Sequence, residues 1–294
     1  MSMHVMQLRK KLEEGRFAVL AEMEPPKGVD TTVMCGNALK VKGKVDAFLV
    51  PEMSNAVMRM SSLGGAMVLQ SRGVETVMQV CCRDRNRIAL QADLLAACAC
   101  GITTVMAVTG QEPGYGDHHQ ARSVYDIDLL GLLAALAKLQ GGRDMAGIEL
   151  AGVPDFLVGA AVNAGAPDLS PEVEAEKMKK MIDAGVRFFV TPPLFSLEPI
   201  APVLKRIDRD KVHIIPTVLL LKSLGMARYM ARNVAHVQVP EALVDRLEQA
   251  PDKVRECVRI SRETIAAFRS EGFSGVLLST IGWEHKIGDM LEGV

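Results

Sequence analysis

The chain has 294 residues, with 34 basic against 35 acidic side chains for a formal charge of −1, and is 49 % hydrophobic and 23 % charged. That composition excludes disordered, collagen-like and low-complexity classes, and the even charge balance gives no footing for nucleic acid. No apolar run reaches the roughly 18 residues of a membrane span, and the N-terminal stretch MSMHVMQLRKKLEEG reads as an amphipathic helix without a signal-peptide core, so a cytoplasmic location is expected.

In chain order, β-branched or apolar runs fall at 17–23, 46–50, 76–81, 103–109, 156–162, 188–191, 213–218 and 275–280. Helical patterns lie between them, near 30–42, 59–71, 87–100, 126–140, 171–184, 199–207 and 223–232, followed by a helical insertion at about 240–270 and a last helix near 284–291. Eight strands alternating with helices predict a parallel sheet with crossover connections, and the length suits an α/β fold of the (β/α)8 TIM barrel type. No linker divides the units, so residues 1–294 are expected to form a single barrel domain with an N-terminal helix. Gly73, Gly101, Gly185 and Gly272 sit just past helices, where a left-handed residue commonly closes the last turn. Ser170-Pro171 followed by Glu172 and Glu174 reads as a capped helix start. Segments 111–125 and 164–170 are long, follow strand C-termini, and mark the end of the barrel where active sites are built. Six cysteines, two of them adjacent at Cys81-Cys82, lack the spacing of a disulfide scaffold and are expected as reduced thiols.

The first strand ends in AEMEPPKG, which puts Glu22 and Glu24 on alternate positions of an extended chain and so on one side. Facing the barrel mouth, Glu22 would have the raised pKa of a general acid; facing the rim, it would be an ordinary salt-bridged glutamate. The CRDRNR stretch, Cys82 to Arg87, offers Arg83 and Arg85 either to a phosphate or to its own acids as an internally paired cluster. The turn VTGQEPGYGDHH contains glycines that permit close backbone approach, while Asp117, His118 and His119 lack metal-ligand spacing. P-loop, dinucleotide-binding and nucleophile-elbow patterns do not occur.

The segments AEMEPPKG, MSSL, CRDRNRIALQADLLAACACGI, AVTG, PTVLLLKSLGMARYM and VQVPEAL together resemble the methylenetetrahydrofolate reductase family, in its short branch consisting of the catalytic barrel only. The resemblance implies a flavoprotein oxidoreductase of one-carbon metabolism. Such enzymes carry FAD (here FAD or FMN) and reduce 5,10-methylenetetrahydrofolate to 5-methyltetrahydrofolate by hydride from flavin N5. It places the family's general acid on Glu22 and its acidic residue after strand four on Gln111, with Glu112 a candidate replacement one residue on. Flavin contacts are implied at Pro51, Gln79, Thr109, Gly110, Gln111, Val162 and Lys180, and folate contacts at Glu22, Gln111, Pro192 and Leu224. The chain departs from the family pattern at several of these. Pro51 stands for a threonine, Thr109 for an arginine, Pro192 for a glutamine, Leu224 for a stacking aromatic, and Val162 and Ala166 for a tyrosine and a histidine. Arg83, Arg85, Lys179 and Lys180 are candidates for a pyrophosphate, and Lys27, Arg59 and Lys222 for a polyglutamate tail.

Three functions are consistent with these residues. The first is the flavin-dependent reductase, with electrons from a nicotinamide or, since the aromatic at Leu224 is missing, from a partner protein in a homo- or hetero-oligomer. The second is a non-catalytic or redirected flavin- or folate-binding subunit of a one-carbon or electron-transfer complex. The third is a barrel lyase or aldolase with Lys222 as Schiff-base lysine.

Overall fold

The computed structural model describes residues 7–163, 170–234 and 236–293. Eight strands, β1 (Ala18–Glu22), β2 (Ala47–Val50), β3 (Thr76–Cys81), β4 (Thr104–Val108), β5 (Leu157–Ala161), β6 (Phe188–Pro193), β7 (His213–Leu219) and β8 (Gly275–Ser279), pair in sequence order into a closed barrel. All pairings are parallel, and β8 returns to β1 with Ala18 opposite Gly275. The helices are α1 (Gln7–Glu13), α2 (Thr32–Lys40), α3 (Ser62–Gln70), α4 (Arg87–Ala99), α5 (Leu129–Gln140), α6 (Pro171–Asp183), α7 (Ala201–Leu204), α8 (Leu224–Asn233), α9 (Glu241–Gln249), α10 (Lys253–Ser270) and α11 (Ile287–Met290). The chain is therefore a (β/α)8 TIM barrel.

Local chemistry sets the element ends. Ser170 accepts the Val173 N–H at 3.3 Å and opens α6 at Pro171, as its sequence suggests. The segment 240–270 divides at Pro251, after which Asp252 caps α10 by accepting the Arg255 N–H at 3.0 Å. The helix expected at 199–207 is a single turn, α7, beyond which the backbone tightens to a bond from Arg206 N to Val203 O of 3.0 Å. β6 runs two residues past its expected end. Pro192 and Pro193 have no N–H to give the ladder, and the register shifts between Val190 and Pro193. Thr217 repairs the gap, its Oγ1 donating to Thr191 O at 2.6 Å and its N–H to Thr191 Oγ1 at 3.2 Å.

Two apolar layers hold the barrel. Outward-facing strand residues such as Val19, Phe48, Val80, Ala107, Phe189 and Leu278 pack under the helices. Inward-facing residues, among them Leu20, Leu49, Val77, Met106, Phe188 and Leu277, fill the lumen together with Leu8 and Leu12 of α1. Gly159 of β5 has no side chain because a Cβ there would run into the Phe188 ring. α1 is fastened across the N-terminal strand ends: Glu75, just before β3, accepts the Gln7 and Leu8 N–H groups at 2.8 and 3.2 Å. Lys11 pairs with Asp46 at 2.8 Å and Arg9 bonds Asp155. With that end closed, the C-terminal end is the open one.

A candidate active site at the C-terminal mouth of the barrel

Alternation along the strands decides which side chains reach the mouth. Glu22 follows Leu20 on the lumen face of β1, Gln79 follows Val77 on β3, Val108 follows Met106 on β4, and Ser279 follows Leu277 on β8. Glu22 and Ser279 meet: the serine Oγ donates to Glu22 Oε2 at 2.6 Å. Burial pushes the Glu22 pKa above the ordinary carboxyl value; the Ser279 bond opposes this, and the nearby Glu24 and Glu284 reinforce it. Glu24 is raised as well, chiefly by burial, against Arg59, whose Nη2 lies 3.0 Å from its Oε2. Three carboxyl groups thus gather over one side of the mouth, with Glu22 the innermost.

Gln79 is oriented by the turn after β2. Its Oε1 accepts the Glu52 N–H at 3.1 Å, which leaves its amide NH2 as the group a ligand would meet, a donor suited to a carbonyl or ring nitrogen. Beneath that turn Glu52 is buried, 4 % exposed, and accepts the Ser62 N–H at 2.9 Å, with Arg85 Nη2 3.1 Å away. Pro51 is buried beside it.

The turn after β4 is equally constrained. Gly110 has φ +89°, and a Cβ there would run into Cys81 Sγ and come within 3.0 Å of Arg83 Cβ. Its carbonyl accepts from the Tyr125 hydroxyl at 3.3 Å, the Thr109 carbonyl from Cys81 Sγ at 3.3 Å, and the Gln111 carbonyl from Arg83 Nη1 at 3.0 Å. The side chains of Thr109, Gln111 and Glu112 are exposed, and Glu112 Oε2 accepts from Ser123 Oγ at 2.9 Å. The rim is tied together by Asp117, which pairs with Lys27 and accepts the Met58 N–H at 2.9 Å, joining the loops after β1, β2 and β4.

Several residues singled out from sequence stand elsewhere. Arg83 and Arg85 are engaged within the protein: Arg83 grips Asp84 through two bonds of 2.7 Å, and Arg85 forms ion pairs with Glu52 and Asp93. That is the internally paired arrangement and not an open phosphate cradle. Val162 is 1 % exposed and faces the layer under the helices, so the lumen position at the end of β5 belongs to Ala161, which is exposed. Lys180 lies exposed in the last turn of α6. At 1.5 Å per residue that turn is roughly 14 Å from the helix start, and only a ligand running down the outside of the barrel would meet it. Lys179 pairs with Glu176 at 2.9 Å. Pro192 stands in the irregular end of β6, and Leu224 opens α8 behind its Ser223 cap, partly buried against the outer core. Arg59 is held by Glu24, and Lys222 bonds the Ile281 carbonyl with its Nζ 5.6 Å above the Trp283 ring. Ala166 lies outside the described residues. Ser279 and Glu284 carried no sequence motif; only the meeting of the last strand with the first brings them to Glu22.

Among the described residues no cluster of His, Cys, Asp or Glu side chains is arranged to hold a metal, and no helix is long and apolar enough to cross a membrane.

The family model for methylenetetrahydrofolate reductase matches residues 7–294. No curated protein matches the sequence significantly. Among solved structures, the fold is similar to an uncharacterized protein from Clostridium thermocellum that binds two copies of 5-methyl-5,6,7,8-tetrahydrofolic acid, at 13 % identity and a TM-score of 0.63, covering 97 % of this chain and 96 % of that one. It is also similar to 2,3-dimethylmalate lyase, a member of the PEP mutase/isocitrate lyase superfamily, at 10 % identity and TM-score 0.56 over 95 % of this chain and 80 % of that one. Oxaloacetate acetylhydrolase matches at 11 % identity and TM-score 0.54, over 94 % and 79 %. At such identities the likeness is one of fold.

Proposed function

Because the chain belongs to the methylenetetrahydrofolate reductase family, we propose that it binds a reduced folate at the C-terminal mouth and reduces 5,10-methylenetetrahydrofolate to 5-methyltetrahydrofolate with a bound flavin. The observation that carries this reading is Glu22, a half-buried carboxyl on the lumen face at the end of β1 that accepts the Ser279 hydroxyl at 2.6 Å and whose pKa burial raises above the ordinary carboxyl value. A folate ligand is supported by the family and by the barrel from Clostridium thermocellum that binds 5-methyl-5,6,7,8-tetrahydrofolic acid.

The residues at the mouth fit a flavin: apolar strand ends at Val108 and Ala161, and the Gln79 amide NH2 as a donor to a ring carbonyl. FAD is the form proposed, as the family resemblance implies, with Lys180 the cation that would meet its pyrophosphate. When bound, a flavin would supply the hydride, a hydrogen with its two electrons, that turns the methylene group into methyl.

The chain's own residues perform the proton chemistry. Glu22 gives its proton to the ring nitrogen whose bond to the methylene carbon breaks; the electron pair of that bond stays on the nitrogen, and the methylene carbon is left as an iminium cation on the other nitrogen. Glu22 is then a carboxylate facing that cation. Glu24 and Glu284 add negative potential at the same place, supplying charge that the neutral Gln111 amide cannot.

Glu22→Gln tests this. Turnover is expected to fall by roughly 10²–10⁴-fold, the usual worth of a general acid, while flavin content and folate affinity stay near wild type. Undiminished turnover would remove Glu22 from the chemistry. The exposed, neutral Gln111 favours a second reading, a folate- or flavin-binding subunit without turnover of its own; it predicts binding of both ligands and no reduction by the wild-type chain.

A further inference from the structure

We infer that Ser279 is a positioning residue for Glu22: it holds Oε2 as an acceptor, so that the proton delivered to substrate resides on Oε1. This deepens the general-acid reading and rests on it.

A serine hydroxyl has one proton, and Ser279 Oγ lies 2.6 Å from Glu22 Oε2, from the last strand of the barrel to the first, at the distance of a hydrogen bond to a carboxyl oxygen. If the carboxyl proton were also on Oε2, two protons would face each other and Ser279 would have to turn away from its partner. With the proton on Oε1 both groups are satisfied: Oε2 stays the carbonyl-like acceptor and Oε1–H is free for substrate. The same bond persists after transfer, when Oε2 belongs to a carboxylate and accepts a stronger, charge-assisted hydrogen bond. Ser279 therefore favours the product side of the proton transfer and opposes the effect of burial, which disfavours the charged form of Glu22. The charged groups around Glu22 are Glu24 on the continuation of β1, Glu284 on the turn after β8, and Arg59, which reaches Glu24 from the segment before α3. Two acids and one engaged cation make the surroundings net negative, and the Ser279 hydroxyl stabilises the charged form of Glu22 directly.

The opposite arrangement, in which protonated Oε2 donates to Ser279 Oγ, predicts the opposite sign, and this makes the inference testable without turnover. Protein carrying 13C at the glutamate side-chain carboxyl, with the Glu22 resonance identified by its loss in Glu22→Gln, is titrated as wild type, Ser279→Ala and Ser279→Thr. Loss of a bond made to the charged form is expected to raise the Glu22 midpoint in Ser279→Ala by about half a unit to one unit, and Ser279→Thr, which keeps a hydroxyl, to restore it. In turnover, Ser279→Ala should lower kcat several-fold with KM little changed, and the loss of rate at high pH should move upward with the midpoint. A midpoint that is unchanged or falls in Ser279→Ala overturns the inference, even if Glu22→Gln is inactive. A Glu22→Gln protein with full turnover overturns the general-acid reading itself, and with it the role given to Oε1.

Discussion

The backbone of Gly110 lies against Cys81 so closely that any side chain at this position would overlap the cysteine sulfur. Gly110 also has φ +89°, a left-handed conformation that disfavours L side chains. Together these pin the turn after β4 to the end of β3, where Gln79 and Gln111 flank the mouth.

Gly110→Ala should accordingly cost about 2–4 kcal/mol of folding stability, combining backbone strain with overpacking. Chemical denaturation reads this directly. Removing the sulfur in the double variant Gly110→Ala/Cys81→Ala should recover part of the loss, the share due to overlap, and leave the share due to φ. Full additivity of the two single variants would mean that the overlap contributes nothing.

Glu52 provides a second test of how the mouth is supported. It is buried, accepts two bonds from Ser62, and lies against Arg85. Glu52→Ala leaves a largely buried guanidinium without one of its two acids and should destabilise the protein by about 3 kcal/mol. Changing Arg85 to Met in the same chain should be less harmful than the sum of the single changes. A Glu52→Ala midpoint equal to wild type would contradict the account.

The closed end of the barrel carries a pH dependence of its own. Burial pushes the Glu75 carboxyl up to about 7 from 4.5, against the lowering effect of the Gln7 and Leu8 N–H groups it caps. A carboxyl whose folded value is raised contributes stability that is fully present below the unfolded value and lost as pH rises through the folded one. Between pH 5 and pH 8 the loss should be on the order of 2 kcal/mol. Glu75→Gln keeps a carbonyl acceptor for α1 and cannot ionise, so the stability difference between variant and wild type should grow in the variant's favour across that range. A difference that is flat with pH would mean that Glu75 titrates near its ordinary value.

The sequence made the barrel legible because parallel strands covered on both faces read as short apolar runs, and all eight observed strands overlap the runs expected. The same property hid the parity of those strands. In β5 both faces are apolar or small, so nothing in LVGAAV tells the lumen side from the helix side, and Val162, a flavin contact implied by the resemblance, lies in the layer under the helices while Ala161 takes the lumen position. In β1 the acids Glu22 and Glu24 broke the pattern and pointed to the mouth. Glu52 and Glu75 were not legible, since a buried carboxyl is marked by its partners and those lie 10 and more residues away in sequence. Ser279 is further still, 257 residues from Glu22. The helix expected at 199–207 is shorter although Ile200, Val203, Leu204 and Ile207 keep its apolar spacing, because the Arg206 N–H bonds Val203 O and the Arg206 guanidinium takes the Pro202 carbonyl.

The central claim is that this barrel reduces a folate with a flavin, and the reverse reaction tests it most directly. Protein loaded with FAD is mixed with 5-methyltetrahydrofolate in the absence of oxygen and the visible flavin absorption followed. The account predicts that the band bleaches, and that Glu22→Gln slows the bleaching while still binding both ligands. A flavin band that stays unchanged in wild-type protein shown to bind 5-methyltetrahydrofolate would contradict it, leaving a barrel that holds the folate without reducing or oxidising it.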